Sequence, residues 1–379
     1  MSEGAQRMRM AIVMPLAEQR GGGEVMLRQL IEHGCAGSVE WLVIFLRDGP
    51  MVELFERFGV EVHVVDAGRL RQPHRYAAAI AQIAGIVHRG KVEAILGWMV
   101  KSQLYGGPAA LLAGVPAVWF QVGAPYRPGW LDRAATAIPA RGIMAVSEVA
   151  ALAQSQIRPR RPRRVVHPGV ELDRFDATRL VTPTEARMRF GLPLDVPIIG
   201  LVGRIQRWKG IHVLVEAIPA VLRDYPSAHF IVVGGAHDLE PDYLGQIKKR
   251  IGELGLERSV LVAGLQADIP VWMQAMDVVV HASDREPFGI VILEAMALGK
   301  PVIAGTGGPE EILTDGFEGL ITPYGDADAL AGAVLRYLDD PDFAAAVGAA
   351  ARRRATDFGV RTYASNVARV AREMTGQSS

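Results

Sequence analysis

The chain has one cysteine, Cys35, no apolar run long enough to span a bilayer, no net charge, and only 7% aromatic residues. A lone thiol excludes a disulfide framework and any Cys-x-x-Cys zinc site, and it suits a reducing compartment. No segment reaches roughly 18 uninterrupted apolar residues, so no membrane-spanning helix is expected. The opening stretch, MSEGAQRMRMAIVMPLAEQRGGG, has an apolar run of strand length and then polar and glycine residues, without a small-residue cleavage site. It reads as a first strand, not a signal peptide. The expected location is cytoplasmic, either free or peripheral on the inner face of the plasma membrane. Gly-x-Gly-x-x-Gly and Gly-x-x-x-x-Gly-Lys-[Ser/Thr] are also missing, which removes the fingerprints of nicotinamide and P-loop sites. The two Asp-x-Asp matches, Asp326-Ala-Asp328 and Asp340-Pro-Asp342, fall at an expected helix start and helix end. Those are capping positions and not a metal site following a strand, so no metal is expected.

What is present is bulk and rhythm. With 379 residues, half of them hydrophobic, the chain is long enough for two domains with separate cores. Strand-like runs alternate with helix-length patterns from MRMAIVMPL through GGEVMLRQLIEHG, VEWLVIFL, MVELFERFG and VEVHVVD. This is the βαβα rhythm of a parallel sheet, α/β in class. A second, more regular series starts at PIIGLVG and runs to EGLITP. Between the two, Pro168, Gly169, Pro183, Pro193 and Pro197 break the pattern around one helix-like piece, TEARMRFG. The expected organisation is a first Rossmann-like domain over 1–170, a connection over 171–196 and a second Rossmann-like domain over 197–359. A C-terminal helix over 360–379 is expected to pack back on the first.

Charge is divided unevenly. Residues 1–170 hold 20 Lys+Arg against 13 Asp+Glu, and the remainder 21 against 28, so the two parts carry +7 and −7. Five of the positive charges, Arg158, Arg160, Arg161, Arg163 and Arg164, crowd into Arg-Pro-Arg-Arg-Pro-Arg-Arg. Two readings stand: a solvated loop held open by proline and self-repulsion, or a contact for an anionic membrane surface. No aromatic residues interleave the arginines, which argues against nucleic acid.

The segment richest in chemistry is SDREPFGIVILEAMALGKPVIA, residues 283–304. A strand ends, a loop holds Glu286, and a helix begins near Phe288, Gly289 and Ile290, where unpaired backbone N–H groups can meet hydroxyl or phosphate oxygens. Glu294 follows one helical turn later. Paired carboxylates suit hydroxyl-rich ligands, because they accept from sugar and ribose hydroxyls. Upstream, Gly203-Arg-Ile-Gln-Arg-Trp-Lys-Gly210 places Arg204 and Lys209 at a strand-to-helix turn, where a forked donor and a point charge together fit an oxyanion. Taken singly, each has a plain alternative: a helix-start acid for Glu286, an ordinary surface helix residue for Glu294, and a surface pair for the cations.

Together these segments resemble the retaining family 4 glycosyltransferases of the GT-B class. Glu286 and Glu294 have the family's spacing of Glu, seven residues, Glu, and Gly299-Lys-Pro-Val302 completes the signature. The turn holding Arg204 and Lys209 is similar to the family's donor-phosphate loop. Gly307-Gly-Pro-Glu-Glu311 is similar to its glycine pair before an acid, which sets Gly308 and Glu311 at donor-binding positions with Glu310 as a competitor. Gly21-Gly-Gly-Glu24 is similar to the family's glycine-rich turn in the first domain, whose backbone reaches towards the donor, which implies donor-binding positions for Gly22 and Gly23. Val146-Ser147 and Pro168-Gly169-Val170 are weaker landmarks. The resemblance implies two Rossmann-like domains whose parallel sheets face each other across a cleft, and transfer of a sugar from a UDP- or GDP-linked donor to an acceptor hydroxyl with retention. The donor is a substrate, so no cofactor is implied. Arg204 and Lys209 would hold the departing diphosphate, Glu286 would contact the sugar, and Glu294 the ribose.

One position departs from the family. Many relatives carry a histidine at the end of the strand here written Ala117-Val-Trp-Phe-Gln-Val-Gly123, where this chain offers Gln121 and Gly123. Lys101, Ser102 and Gln121, expected at strand ends, are the acceptor-side candidates. The basic first domain points to a lipid-linked or saccharide acceptor, as in cell-envelope polysaccharide or glycolipid assembly. A hexosyltransferase-type enzyme working without metal is the leading reading. A GT-B sugar-nucleotide epimerase, or a non-catalytic sugar-nucleotide-binding partner of an active transferase, stays open beside it.

Overall fold

The structure is a computed structural model that describes residues 7–19, 21–34, 37–158 and 160–376; Cys35 lies outside them. The chain divides into two compact units, one of residues 1–169 with 360–379, the other of 170–359.

The first unit runs β1 (Met8–Met14), α1 (Gly22–Gly34), β2 (Val39–Phe45), α2 (Met51–Arg57), β3 (Glu61–Val64), α3 (Pro73–Arg89), β4 (Ala94–Trp98), α4 (Met99–Ala113), β5 (Ala117–Gln121), α5 (Trp130–Ala137), β6 (Gly142–Ala145), α6 (Glu148–Ser155) and β7 (Arg163–Val165). Its strands pair in parallel in the order β3-β2-β1-β4-β5-β6-β7. β1 and β4 are apolar nearly throughout because helices cover both faces of such a sheet, leaving no wet side for alternation to mark. The chain winds outward from β1 in one direction and from β4 in the other.

The second unit runs α7 (Pro183–Phe190), β8 (Ile198–Val202), α8 (Ile211–Asp224), β9 (His229–Val233), α9 (Tyr243–Glu253), β10 (Val260–Gly264), α10 (Ile269–Gln274), β11 (Val278–His281), α11 (Ile290–Ala297), β12 (Val302–Ala304), β13 (Leu320–Ile321), α12 (Ala327–Asp339) and α13 (Pro341–Ala355). Its parallel order is β10-β9-β8-β11-β12-β13, which reverses direction between β8 and β11. The chain then returns to the first unit as α14 (Val360–Thr375). Val360, Tyr363, Ala364, Val367, Ala368 and Ala371 fall on one buried stripe of α14, and the Tyr363 hydroxyl donates to Met26 O on α1 at 3.1 Å.

Three expectations change here. Residues 171–196 are no bare connection. α7 has a Thr182–Glu185 capping box, stacks Phe190 on Trp272 at 3.8 Å between ring centres, and buries Arg187 against Asp277 at 2.7 Å, so it belongs to the second unit. The arginine-rich segment is not wholly a solvated loop. Arg163 and Arg164 lie in edge strand β7, while Arg161 is buried with Nη2 donating to Ile138 O at 2.9 Å. Half-bonded helix and strand ends supply carbonyls that self-repelling arginines can satisfy. Asp340 closes α12 but also starts α13, its carboxylate accepting from Phe343 N at 2.9 Å, just as Asp326 accepts from Ala329 N at 2.8 Å. Both Asp-x-Asp segments are N-caps.

Candidate functional site

In an open parallel sheet, the carboxyl ends of strands on either side of the reversal splay apart and leave a crevice. In the second unit the reversal lies between β8 and β11, and the two segments singled out by sequence leave exactly those strands. After β8, Gly203 N–H bonds Val233 O and Ile205 N–H bonds Gly235 O, each at 2.9 Å, carrying the chain along the end of β9. A short 3-10 turn at Arg207–Lys209 follows, and Gly210, at φ +73°, swings the chain into α8. Asp284 N–H donates to Trp208 O at 2.7 Å, which ties this turn to the loop after β11.

Gly210 is required twice over. Its backbone is left-handed, and a Cβ there would fall 1.8 Å from Ala282 O. Gly210→Ala is therefore expected to destabilise the protein by about 3 kcal/mol. Gly191→Ala, equally left-handed at φ +65° but with nothing within 4 Å of the new methyl, should cost only about 1 kcal/mol. Urea midpoints of the two variants check this contrast.

Within this frame Lys209 Nζ meets Glu286 Oε2 at 2.6 Å, with the Trp208 ring centre 4.0 Å from the ammonium. Both partners are nearly buried, at 14% and 11% side-chain exposure, so their attraction is little screened by solvent. His281, at the end of β11, places Nε2 3.3 Å from the same carboxylate oxygen and 3.4 Å from Ser283 Oγ. Burial works against the Glu286 charge, yet Lys209, His281 and the Ser283 hydroxyl prevail and hold its carboxyl below the usual range. Burial also pushes the His281 imidazole down to about 4, outweighing the attraction of Glu286. The residue before Glu286, Arg285, is left-handed at φ +44°, a strained conformation in the loop that presents the acid.

The His281 shift carries a pH signature. Its folded pKa lies below the ordinary value near 6.5, so between the two the unfolded chain binds the proton first and stability falls as pH drops. Lowering pH from 7 to 4 should remove a few kcal/mol, and His281→Gln should flatten that slope. His212 and His229, whose pKa values are also lowered by burial, add a residual slope of the same sign to both proteins. Chemical denaturation across this range checks it.

Around this centre, Arg204 is half-buried, and among the described residues no carboxylate pairs with its guanidinium. Gly289, at φ +103°, begins α11 ahead of Ile290, and Glu294 sits half-buried one turn in. Phe288 is 2% exposed and packs near Phe358, so it can offer a ligand only its main chain. The Gly307-Gly308 pair packs against the loop carrying the acid, where Gly307 forms an isolated parallel bridge with Glu286. Gly308 N–H donates to Glu286 O at 2.8 Å, and a Cβ on Gly308 would lie 2.3 Å from Pro287 O. Glu310 is exposed and accepts from Gly307 N–H at 2.7 Å, whereas Glu311 is half-buried, which separates two acids that sequence left in competition.

The first unit has its own reversal between β1 and β4. α1 begins at Gly22, and a Cβ on Gly23 would lie 3.2 Å from Met99 Sδ. Trp98 Nε1 donates to Gly23 O at 3.0 Å. Lys101 and Ser102 are not at a strand end as expected. Met99, at φ +70°, turns the chain immediately after Trp98 and places both in the first turn of α4. Gln121 does end β5. Ser102 Oγ and Gln121 Oε1 are buried without a hydrogen-bond partner among the described residues. Reasoning from sequence passed over His281, Ser283 and Trp208. The signal for His281 was a polar residue closing the otherwise apolar run Val278-Val-Val-His281.

Two doubly wound parallel sheets, each with glycines and polar side chains beside its reversal, define an α/β protein of the GT-B class. Residues 184–354 match the family model of Glycosyl transferases group 1, and the second unit belongs to that family. Among solved structures, Anabaena HepE in complex with UDP and glucose is similar, with a TM-score of 0.86 over 97% of this chain and 100% of that one at 27% identity. The D-inositol 3-phosphate glycosyltransferase of Streptomyces avermitilis is 37% identical over 214 residues, 54% of this chain and 46% of its own length. The lipopolysaccharide core biosynthesis mannosyltransferase LpsB of Rhizobium meliloti is 32% identical over 213 residues, 55% of this chain and 60% of its own length. The matched region thus spans about half the length of these curated relatives.

Proposed function

We propose that this chain is a retaining glycosyltransferase that moves a hexose from a nucleoside diphosphate sugar, UDP- or GDP-linked, to an acceptor hydroxyl without a metal ion. The observation that carries the reading is the meeting of Lys209 and Glu286 across the β8/β11 reversal, with Arg204 on the same turn as Lys209. In transfer from such a donor, negative charge grows on the departing diphosphate, and fixed cations aimed at it lower the barrier. Arg204, Lys209 and the start of α11 at Gly289 and Ile290 take that role. Glu286 accepts from the sugar, Glu294 from the ribose, and Gly308 and Glu311 flank the donor. HepE in complex with UDP-glucose supports the donor class. Asp326 and Asp340, the first acids of the two Asp-x-Asp segments, cap helices, which supports the metal-free reading.

Gly22 and Gly23 serve the donor through their main chain, whereas Lys101, Ser102 and Gln121 serve the acceptor. A lipid-linked or saccharide acceptor in cell-envelope assembly accords with the basic first unit, and LpsB bears a name of that kind. Among the described residues no helix is long and apolar enough to cross a membrane. Peripheral attachment to anionic lipid would rest on the exposed Arg158, Arg160 and Arg164, and not on buried Arg161. Weaker co-sedimentation of the Arg160→Ala, Arg164→Ala variant with anionic vesicles tests it.

The deciding experiment is binding and hydrolysis of UDP-, GDP-, ADP- and dTDP-sugars in the presence of a chelator. Selective binding with slow hydrolysis fixes the donor and opens an acceptor search. Binding without hydrolysis or transfer would point instead to a non-catalytic partner, and a changed free nucleotide sugar to an epimerase.

A further inference from the structure

We propose that His281 is a positioning residue for Glu286, an Nε2–H donor that keeps this carboxylate in place while Lys209 serves the diphosphate. The inference rests on the reading of the site as a sugar-donor site, and it concerns a residue that neither the sequence signature nor the transfer chemistry above requires.

His281 closes a strand whose other residues, Val278, Val279 and Val280, are buried, and it is itself 2% exposed. A histidine in such a place needs a polar partner, because burying an unpaired N–H is costly. Its Nε2 faces two oxygens, Glu286 Oε2 at 3.3 Å and Ser283 Oγ at 3.4 Å. An ionised carboxylate only accepts, so the ring nitrogen turned towards it carries the proton. That leaves Nδ1 as the bare nitrogen, and Nδ1 is the ring atom without a partner among the described residues. An unpaired acceptor is the less costly choice. Burial keeps the ring uncharged at neutral pH, so it holds Glu286 as a dipole and not as an ion.

That distinction gives the residue its use. Lys209 lies 2.6 Å from Glu286, and it is also the cation that an arriving diphosphate attracts. As the ammonium turns to phosphate, Glu286 loses part of the field that holds it ionised and oriented. An uncharged imidazole is not drawn away by the same anion. With the Ser283 hydroxyl, which also favours the ionised acid, it fixes the carboxylate by contacts the diphosphate does not compete for.

The test compares His281→Phe, which fills the space without a donor, with His281→Gln, whose amide nitrogen reaches the position of Nε2. Transfer kinetics, UDP affinity and melting temperature are measured for both. The phenylalanine variant should lose about 10- to 100-fold in kcat, the worth of a hydrogen bond to a charged group, with UDP affinity within about threefold of native. The glutamine variant should recover most of that loss. Native kcat in the phenylalanine variant, or a glutamine variant equally slow at native melting temperature, overturns the proposal, since ring packing alone would then explain the residue. An arm independent of turnover reads the imidazole by nitrogen NMR, with the signal assigned by its loss in the glutamine variant. An uncharged Nε2–H ring at neutral pH supports the proposal, and an Nδ1–H ring or an imidazolium overturns it. If the native chain transfers no sugar from any donor, the functional reading falls instead, and the NMR arm still decides how His281 meets Glu286. A phenylalanine variant that fails to fold leaves the decision to the glutamine variant and the NMR arm.

Discussion

Arg204→Ala is expected to lower kcat for sugar transfer about 10²- to 10³-fold, the usual loss on removing one donor that stabilises developing charge. Arg204 leaves β8 beside the sheet reversal, half-buried, with no carboxylate partner among the described residues to neutralise it. A cation so placed is available for a diphosphate in a way that the engaged Lys209 is not. Its guanidinium can bond two phosphate oxygens in parallel, so Arg204→Lys should restore charge but not geometry and fall between native and alanine rates. Single-turnover measurements with saturating donor separate this loss from weaker binding. An alanine variant that transfers at the native rate would remove Arg204 from the machinery and shift the anion site to the start of α11.

Lys209→Met is expected to destabilise the fold by about 3 to 5 kcal/mol, because it strands a buried carboxylate without its cation. Glu286→Gln in the same chain should return much of that stability, since an amide pays no penalty for an ionic charge in this place. The pH dependence gives a second reading of the same physics. With Lys209 gone, burial raises the folded-state pKa of Glu286 above its unfolded value. Stability is then fully present below the unfolded value near 4.3 and is lost as pH rises through the raised one. The deficit of Lys209→Met should therefore shrink in mild acid, opposite in sign to the slope expected from His281. A double-mutant cycle by urea denaturation at two pH values measures both. Additive effects of the two substitutions would mean that the 2.6 Å pair contributes nothing as a pair.

Much of this architecture could be read from residue order. Apolar runs such as Val39–Phe45 and Ile198–Val202 have the length and continuity of strands covered on both faces, and amphipathic runs lie between them. The group 1 glycosyltransferase segment was legible because Glu286, Glu294 and Gly299-Lys-Pro-Val302 occupy one short stretch, where spacing along the chain translates directly into position on a strand, loop and helix. The arginine-rich run, with three of its five arginines exposed, was legible only in part, for the opposite reason. Arg161 is buried only because Ile138 O, 23 residues earlier, lies where its guanidinium can reach it. Lys101 and Ser102 went to the wrong element because no composition rule announces a left-handed methionine at position 99.

By itself the sequence determined the α/β rhythm, the places where glycine must stand, and the cations and acids that could serve a nucleotide sugar, since these follow from local periodicity and residue chemistry. Only the tertiary structure decided that Lys209 pairs with Glu286, that His281 and Ser283 join them, and that Glu310 caps a turn. Lys209 and Glu286 stand 77 residues apart, and parallel strands bring such residues together through the order of strands in the sheet, which no local pattern encodes. Burial then sets their charge states, and burial belongs to the packed sheet and not to any residue alone.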